Sequence, residues 1–138
     1  MDNKITGDQK SVYCKDKTMS YAGKHLIIEL WGAKNISSEE NTKEVLKNAV
    51  EACKATLLDV HAHTFSPYNG VSAVAILKES HISVHSWPEF NYAAADIFVC
   101  GDIDPYLAVP VLKEGFSAEE VQVMEFKRGI FDEKRLGL

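Results

Sequence analysis

The sequence predicts an α+β fold: a two-layer αβ sandwich on a mainly antiparallel sheet, with two helices on one face. Three observations lead there. Short segments rich in β-branched and aromatic residues recur along the chain. Two longer segments carry apolar residues at helical spacing. The strand-like segments in the middle are joined by connections so short that only antiparallel pairing is possible.

The elements follow in order. His25-Leu26-Ile27-Ile28-Glu29-Leu30-Trp31 reads as a first strand, and Gly32 to Ser38 as a loop. Ser37 or Ser38, with acids just behind, is a helix cap. Val45, Leu46, Ala49, Val50 and Cys53 give that helix one apolar face. Lys43, Glu44, Lys47, Glu51 and Lys54 lie on the other. Leu57 to Thr64 reads as a second strand. Phe65-Ser66-Pro67-Tyr68-Asn69-Gly70 is dense in turn formers. Val71 to Leu77 and Ile82 to Trp87 follow as strands about a tight connection, and Pro88 ends the second because it cannot donate to a ladder. Ala94 to Val99 is a further strand. Asp104 or Pro105 opens a second helix to about Glu114, with Leu107, Ala108, Val111 and Leu112 apolar. Val121 to Phe126 closes the sheet, and the last dozen residues are expected to be peripheral. Both helices belong on one sheet face, and the other must be covered or solvated.

At 138 residues, with 46% hydrophobic and 25% charged side chains, the chain has the make-up of one ordinary globular domain. The net charge of −5 implies no basic surface, so nucleic acid is not an expected partner. No apolar run reaches the length of a membrane span, and no membrane partner is expected. Residues 1–24 lack the apolar centre of a signal peptide and are expected to be a flexible extension to a domain over 25–138. Cys14, Cys53 and Cys100 are odd in number and show no C-x-x-C spacing, which argues against a disulfide framework. A reducing cytoplasm is the expected compartment.

The chemistry concentrates in one stretch: Lys78-Glu79-Ser80-His81, then His85-Ser86-Trp87-Pro88-Glu89, Tyr92-Ala93-Ala94 and Cys100-Gly101-Asp102, preceded by Pro67-Tyr68 and Gly70-Val71-Ser72. Taken singly, each residue has an ordinary explanation. Ser80 could be a turn residue, His85 a structural histidine, Cys100 a small core residue, and Phe65 and Trp87 core aromatics. The combination, in this order and spacing, resembles the self-processing core of the small prokaryotic S-adenosylmethionine decarboxylases. The resemblance covers roughly residues 22–132 and is dense over 65–102. The Pro67-Tyr68-Asn69-Gly70 loop is one residue longer than the family's Pro-Tyr-Gly form.

The resemblance implies a proenzyme that breaks its own Glu79–Ser80 bond into a 1–79 β chain and an 80–138 α chain. Ser80 becomes a pyruvoyl group, the covalent cofactor, to which the substrate amine condenses as a Schiff base. It further implies Ser72 as the oxyanion donor in processing, His85 as its proton-transfer base, and Cys100 as the acid that protonates the carbanion. Phe65 and Trp87 take the positions of substrate-stacking aromatics, and Glu89 that of the ribose-binding carboxylate. The implied activity is decarboxylation of S-adenosylmethionine for spermidine synthesis. Ornithine or arginine as substrate, or a non-processing regulatory homologue, are the alternatives. No pyridoxal phosphate is expected, since no glycine-rich phosphate loop is present. No metal is expected either: His61 and His63 share a strand face but lack a third ligand at suitable spacing. Ser80 with His85 is not a hydrolase pair, for there is no Gly-x-Ser-x-Gly elbow.

Strand geometry adds an inference about assembly. At roughly 3.3 Å per residue, Ser72 and His85 lie about 26 Å and 16 Å from Ser80 along the chain. Pairing about a Glu79–Ser80 turn sets Ser72 opposite Trp87, with Ser72, His85 and Trp87 on one face. Ser80 and Cys100 must reach that cluster from a second copy, so a homodimer with two shared sites is expected.

Overall fold

The structure is a computed structural model that describes residues 14–15 and 20–137. Its strands are β1 (Cys14–Lys15), β2 (Ser20–Trp31), β3 (Leu57–Phe65), β4 (Gly70–Leu77), β5 (Ser80–Trp87), β6 (Tyr92–Val99) and β7 (Glu120–Phe131). Its helices are α1 (Glu39–Ala52), α2 (Val109–Gly115) and a short α3 (Glu133–Leu136). All pairings are antiparallel, in the order β7-β2-β6-β5-β4-β3, with β1 against the start of β2. The expected two-layer α+β sandwich is the one observed.

Alternation along the strands explains the layering. Leu26, Ile28 and Leu30 of β2, Val71, Ala73 and Ala75 of β4, Ile82 and Val84 of β5, and Ala95 and Ile97 of β6 are buried on one face. They meet Val45, Leu46, Ala49 and Val50 of α1 and Leu112 of α2 in one core. Ser38 caps α1, its hydroxyl accepting from the Asn41 N–H at 3.0 Å, with Glu39 and Glu40 in the positive first turn. The helix therefore starts at the second of the two expected serines.

The second helix departs from expectation. Asp104 caps a 3₁₀ turn, Pro105–Ala108, before α2 begins at Val109. Three residues per turn rotate the face relative to an α-helix. Ala108 and Leu112 stay buried, while Leu107 is exposed and Phe116 fills the core beyond the helix end. The outer strands are also longer than expected. β2 begins at Ser20, inside the expected extension, and Ser20 and Tyr21 are buried. They pair with Phe131 and Ile130 of β7, which runs five residues past its expected end. The remainder of the expected extension, residues 1–13 and 16–19, lies outside the described residues.

Among the described residues, no helix covers the other sheet face. It carries Trp31, Ile76, Trp87, Met124, Phe126 and Ile130, all exposed. Polar groups stand among them: His25, Ser72, His81, His85 and Asp96 occupy the same face by alternation.

Candidate active site

The β4–β5 connection is a two-residue hairpin. Leu77 pairs with Ser80, so Lys78 and Glu79 form the turn and Ser80 opens β5. Ser72 is therefore opposite His85 and not, as expected, opposite Trp87. The turn is centred one residue earlier than supposed, which moves the register by two. An even shift preserves the face, so Ser72, His85 and Trp87 still lie together. Ser72 Oγ and His85 Nδ1 are 2.9 Å apart.

Ser80 has φ 141°, a region populated almost only by glycine and costing a β-carbon-bearing residue about 1–3 kcal/mol. The strain lies at the bond expected to break. The carbonyl oxygen of Glu79 accepts from the Cys100 N–H at 3.2 Å and from Cys100 Sγ at 3.3 Å. Two donors from one residue thus converge on the oxygen that turns negative if Ser80 Oγ attacks, as an oxyanion pocket requires. Cys100 reaches this place because β6 runs beside β5, with Val99 directly opposite Ser80. Burial pushes the Cys100 thiol above its usual 9.0, and the Glu79 carboxylate pushes the same way. At neutral pH the sulfur keeps its proton and can donate it.

The Glu79 side chain is anchored separately. Its carboxylate accepts from the Thr56 N–H at 2.9 Å and from Thr56 Oγ1 at 3.2 Å, while the Lys78 N–H reaches the Thr56 carbonyl at 3.0 Å. This clamp ties the turn to the end of the α1–β3 connection.

A second cluster lies toward the far end of β4 and β5. A cleft of about 310 Å³ is lined by Phe65, Pro67, Tyr68, Ser72, His85, Trp87 and Glu89. Phe65 and Trp87 are exposed rather than core. His63 meets Phe65 edge-on at 4.6 Å, and Trp87, Tyr92 and Trp31 form a run of tilted rings at 5.4 and 4.5 Å. The longer Pro67–Gly70 loop closes one side. Gly70 is required there, because a β-carbon would meet the Ser86 carbonyl oxygen at 2.7 Å. Trp87 is the last strand residue before the Pro88–Phe90 turn, which brings Glu89 to the rim.

The expected residues therefore fall into two groups within one chain. Glu79, Ser80 and Cys100 converge at the hairpin. Ser72, His85, Phe65, Trp87 and Glu89 converge at the cleft. Sequence reasoning missed Thr56 and the side chains around Asp96. His25 Nε2 and His81 Nε2 both contact Asp96 Oδ2, at 2.7 and 2.9 Å, and Ser83 Oγ donates to Asp96 Oδ1. His81 follows Ser80 directly, and that adjacency was the available signal. His25 is 71 residues from Asp96, and no local pattern joins them. His61 is exposed and bonded to Asp59 at 2.8 Å, and His63 is exposed too, consistent with an open strand face.

The whole arrangement is that of a tight hairpin opening on a strained serine, beside an aromatic cleft on an α+β sandwich. The S-adenosylmethionine decarboxylase family profile matches residues 24–129. The chain is 48% identical over 113 residues to the S-adenosylmethionine decarboxylase proenzyme of Thermomicrobium roseum, covering 81% of this chain and 97% of that one. It is 45% identical over 117 residues to the proenzyme of the same name from Methanococcus maripaludis strain C5, covering 83% and 95%. The crystal structure of the adenosylmethionine decarboxylase from Aquifex aeolicus superposes with a TM-score of 0.75 at 31% identity, over 82% of this chain and 95% of that one. The chain belongs to the S-adenosylmethionine decarboxylase family.

Proposed function

We propose that this chain is the proenzyme of a pyruvoyl-dependent S-adenosylmethionine decarboxylase that cuts itself between Glu79 and Ser80. One observation carries the reading: the strained Ser80 stands at a peptide whose carbonyl oxygen is held by two donors from Cys100. Family membership supports it over ornithine or arginine as substrate and over a non-processing homologue.

In this reading Ser80 Oγ attacks the Glu79 carbonyl carbon through a five-membered ring, and the Cys100 donors stabilise the developing oxyanion. Collapse of the ring breaks the peptide C–N bond and leaves an ester. Loss of the Ser80 α-proton then expels the Glu79 carboxylate, and hydrolysis of the resulting dehydroalanine releases ammonia. The pyruvoyl group so formed supplies an electron sink for the pair left when the substrate carboxylate departs. Cys100, protonated at neutral pH, returns a proton to the carbanion. Phe65 and Trp87 offer aromatic faces to an adenine and a sulfonium, and Glu89 offers a carboxylate to two ribose hydroxyls. None of these roles calls on a metal or pyridoxal phosphate.

The separation of the two residue groups motivates a homodimer with two shared sites. Ser80 and Cys100 of one protomer would meet Ser72, His85, Phe65, Trp87 and Glu89 of its partner. The helix-free face, with Trp31, Ile76, Met124, Phe126 and Ile130 exposed, supplies apolar area for such packing. Ser72 would then reach Glu79 across the interface as a further oxyanion donor, and His85 would take the α-proton. Among the described residues no helix is long and apolar enough to cross a membrane. Cys53 and Cys100 are free thiols, and we place the protein in the cytoplasm.

Denaturing intact-mass analysis of purified protein, with and without borohydride, tests the processing. Fragments 1–79 and 80–138 are expected, the second with a reducible, amine-free N-terminus. An uncut chain that stays uncut on incubation overturns the reading. Carbon dioxide release is expected from S-adenosylmethionine, and release from ornithine or arginine alone overturns the substrate. Mixing Ser80→Ala with His85→Ala chains tests the shared site: some cleavage should return in mixed dimers, and none overturns it.

A further inference from the structure

The processing scheme leaves one step without a partner in the same chain. Ser80 Oγ must lose its proton as it attacks, and His85 lies five residues further along β5, about 16 Å away at strand spacing. The residue that does meet Ser80 is His81. Its Nδ1 lies 3.4 Å from Ser80 Oγ. That is long for a hydrogen bond, but catalytic contacts commonly tighten as the reaction proceeds.

The rest of the imidazole is fixed from behind. His81 Nε2 is 2.9 Å from Asp96 Oδ2, and His25 Nε2 reaches the same oxygen at 2.7 Å. Ser83 donates to the other oxygen. A carboxylate accepts only, so Nε2 of His81 carries the hydrogen and Nδ1 presents its lone pair toward Ser80. The arrangement depends on register: Asp96 lies opposite both Ser83 of β5 and Ile27 of β2, which stand two residues from His81 and His25 respectively. The His25 ring lies edge-on to that of His81 at 6.2 Å. Phe98 lies at 6.1 Å from His81, with the Arg128 guanidinium over its ring at 5.0 Å.

We propose that His81 is the base that takes the Ser80 hydroxyl proton in self-processing, with Asp96 and His25 as positioning residues that hold its tautomer. The inference rests on the self-cleaving reading above and divides its labour. His81 serves the attack within its own chain, and His85 remains for the α-proton. In the step, the Ser80 O–H bond breaks and its proton passes to His81 Nδ1. Oγ bonds to the Glu79 carbonyl carbon, the C–N bond of the old peptide breaks, and the proton passes from Nδ1 to the departing Ser80 nitrogen. Nothing is oxidised or reduced, and no co-reactant is consumed.

The test follows cleavage of the newly synthesised 138-residue chain by denaturing mass analysis over time. The parent, His81→Ala, His81→Gln and Asp96→Asn chains are compared, each with chelator present and with added imidazole. A base of this kind is worth about 10²–10⁴ in rate. Both His81 variants should cleave at least about a hundredfold more slowly, and imidazole should restore the smaller His81→Ala chain but not the Gln chain. Asp96→Asn should slow cleavage comparably, because an amide N–H facing Nε2 favours the wrong tautomer. His81 variants that cleave within about threefold of the parent overturn the proposal. So does a slow His81→Ala chain without imidazole rescue beside an Asp96→Asn chain at the parental rate, which would mean a purely structural role. Loss of parental cleavage in chelator also overturns it, by making His25, His81 and Asp96 metal ligands. If His81→Ala does not fold, the Gln and Asn chains decide. A parent that never cleaves removes the processing reading itself, whereas a cleaving parent with unaffected variants removes only the role of His81.

Discussion

Strain at Ser80 is measurable apart from chemistry. Replacing Ser80 by alanine or by glycine removes the nucleophile of the proposed cleavage in either case, and the hydroxyl contact to His81 in both. The two variants then differ in the β-carbon alone, whose cost at φ 141° is set against two smaller terms. That conformation costs a non-glycine residue about 1–3 kcal/mol. Glycine gives back about 0.5–1 kcal/mol through its freer unfolded chain. The half-buried β-carbon it lacks is worth less than about 0.8 kcal/mol. The Ser80→Gly chain should be the more stable by about 1 kcal/mol. For 138 residues, an unfolding entropy of about 2.1 cal/mol/K per residue makes this a difference of about 3 °C in Tm. Calorimetry of the two uncut chains at equal concentration measures it, the matched concentration removing any contribution from association. An alanine chain as stable as the glycine chain, or more so, would show that the Glu79–Ser80 bond is not strained in the precursor and that the cleavage geometry must come wholly from its donors.

Other outcomes follow from the same structure. Thr56→Val removes the hydroxyl half of the clamp on Glu79 and keeps the N–H; losing one such bond should slow cleavage about two- to tenfold, read by mass analysis. In a Cys14→Ser background, burial holds the Cys53 thiol at about 11 and raises that of Cys100 less; iodoacetamide should label Cys100 first, at a rate still rising above pH 9, and earlier labelling of Cys53 would contradict the packing. Burial alone would raise the Asp96 carboxyl, but donors from Ser83, His81 and His25 outweigh it and hold it below its usual 3.8. The stability this contributes is present above the unfolded value and lost as pH falls through the lower folded one. Asp96→Asn should therefore flatten the acid limb of the denaturation profile, and an unchanged limb would place the charge elsewhere. Leu46→Ala, at a fully buried position under the sheet, should cost about 2–5 kcal/mol in urea unfolding.

Much of this molecule was legible in its residues because the signals were local. Alternating apolar residues place β4, β5 and β6, Ser38 with two acids behind it marks the start of α1, and Pro88 ends β5 at Trp87. Each rests on contacts within a few residues, where backbone sterics and hydrogen bonding act without help from the rest of the chain. The ends of the sheet were less legible. The start of β2 and the end of β7 are interrupted by Gly23 and Gly129, and they are strands because each supplies the other's ladder partners.

What only the tertiary structure decided is register and convergence. A hairpin turn at Lys78–Glu79 rather than Glu79–Ser80 pairs Ser72 with His85 and makes Ser80 the first strand residue. Ser80, next to the bond proposed to break, has φ 141° at that position. The Cys100 donors on Glu79, the Thr56 clamp and the three side chains on Asp96 come from segments far apart in sequence. Their meeting depends on which strands lie side by side and with what offset. The proposed cleavage motif is written in consecutive residues because the atoms that would react belong to one peptide bond. The groups that hold and polarise that bond are brought by folding, since only the folded chain sets donors from the α1–β3 connection and from the residue after β6 within 3.5 Å of Glu79.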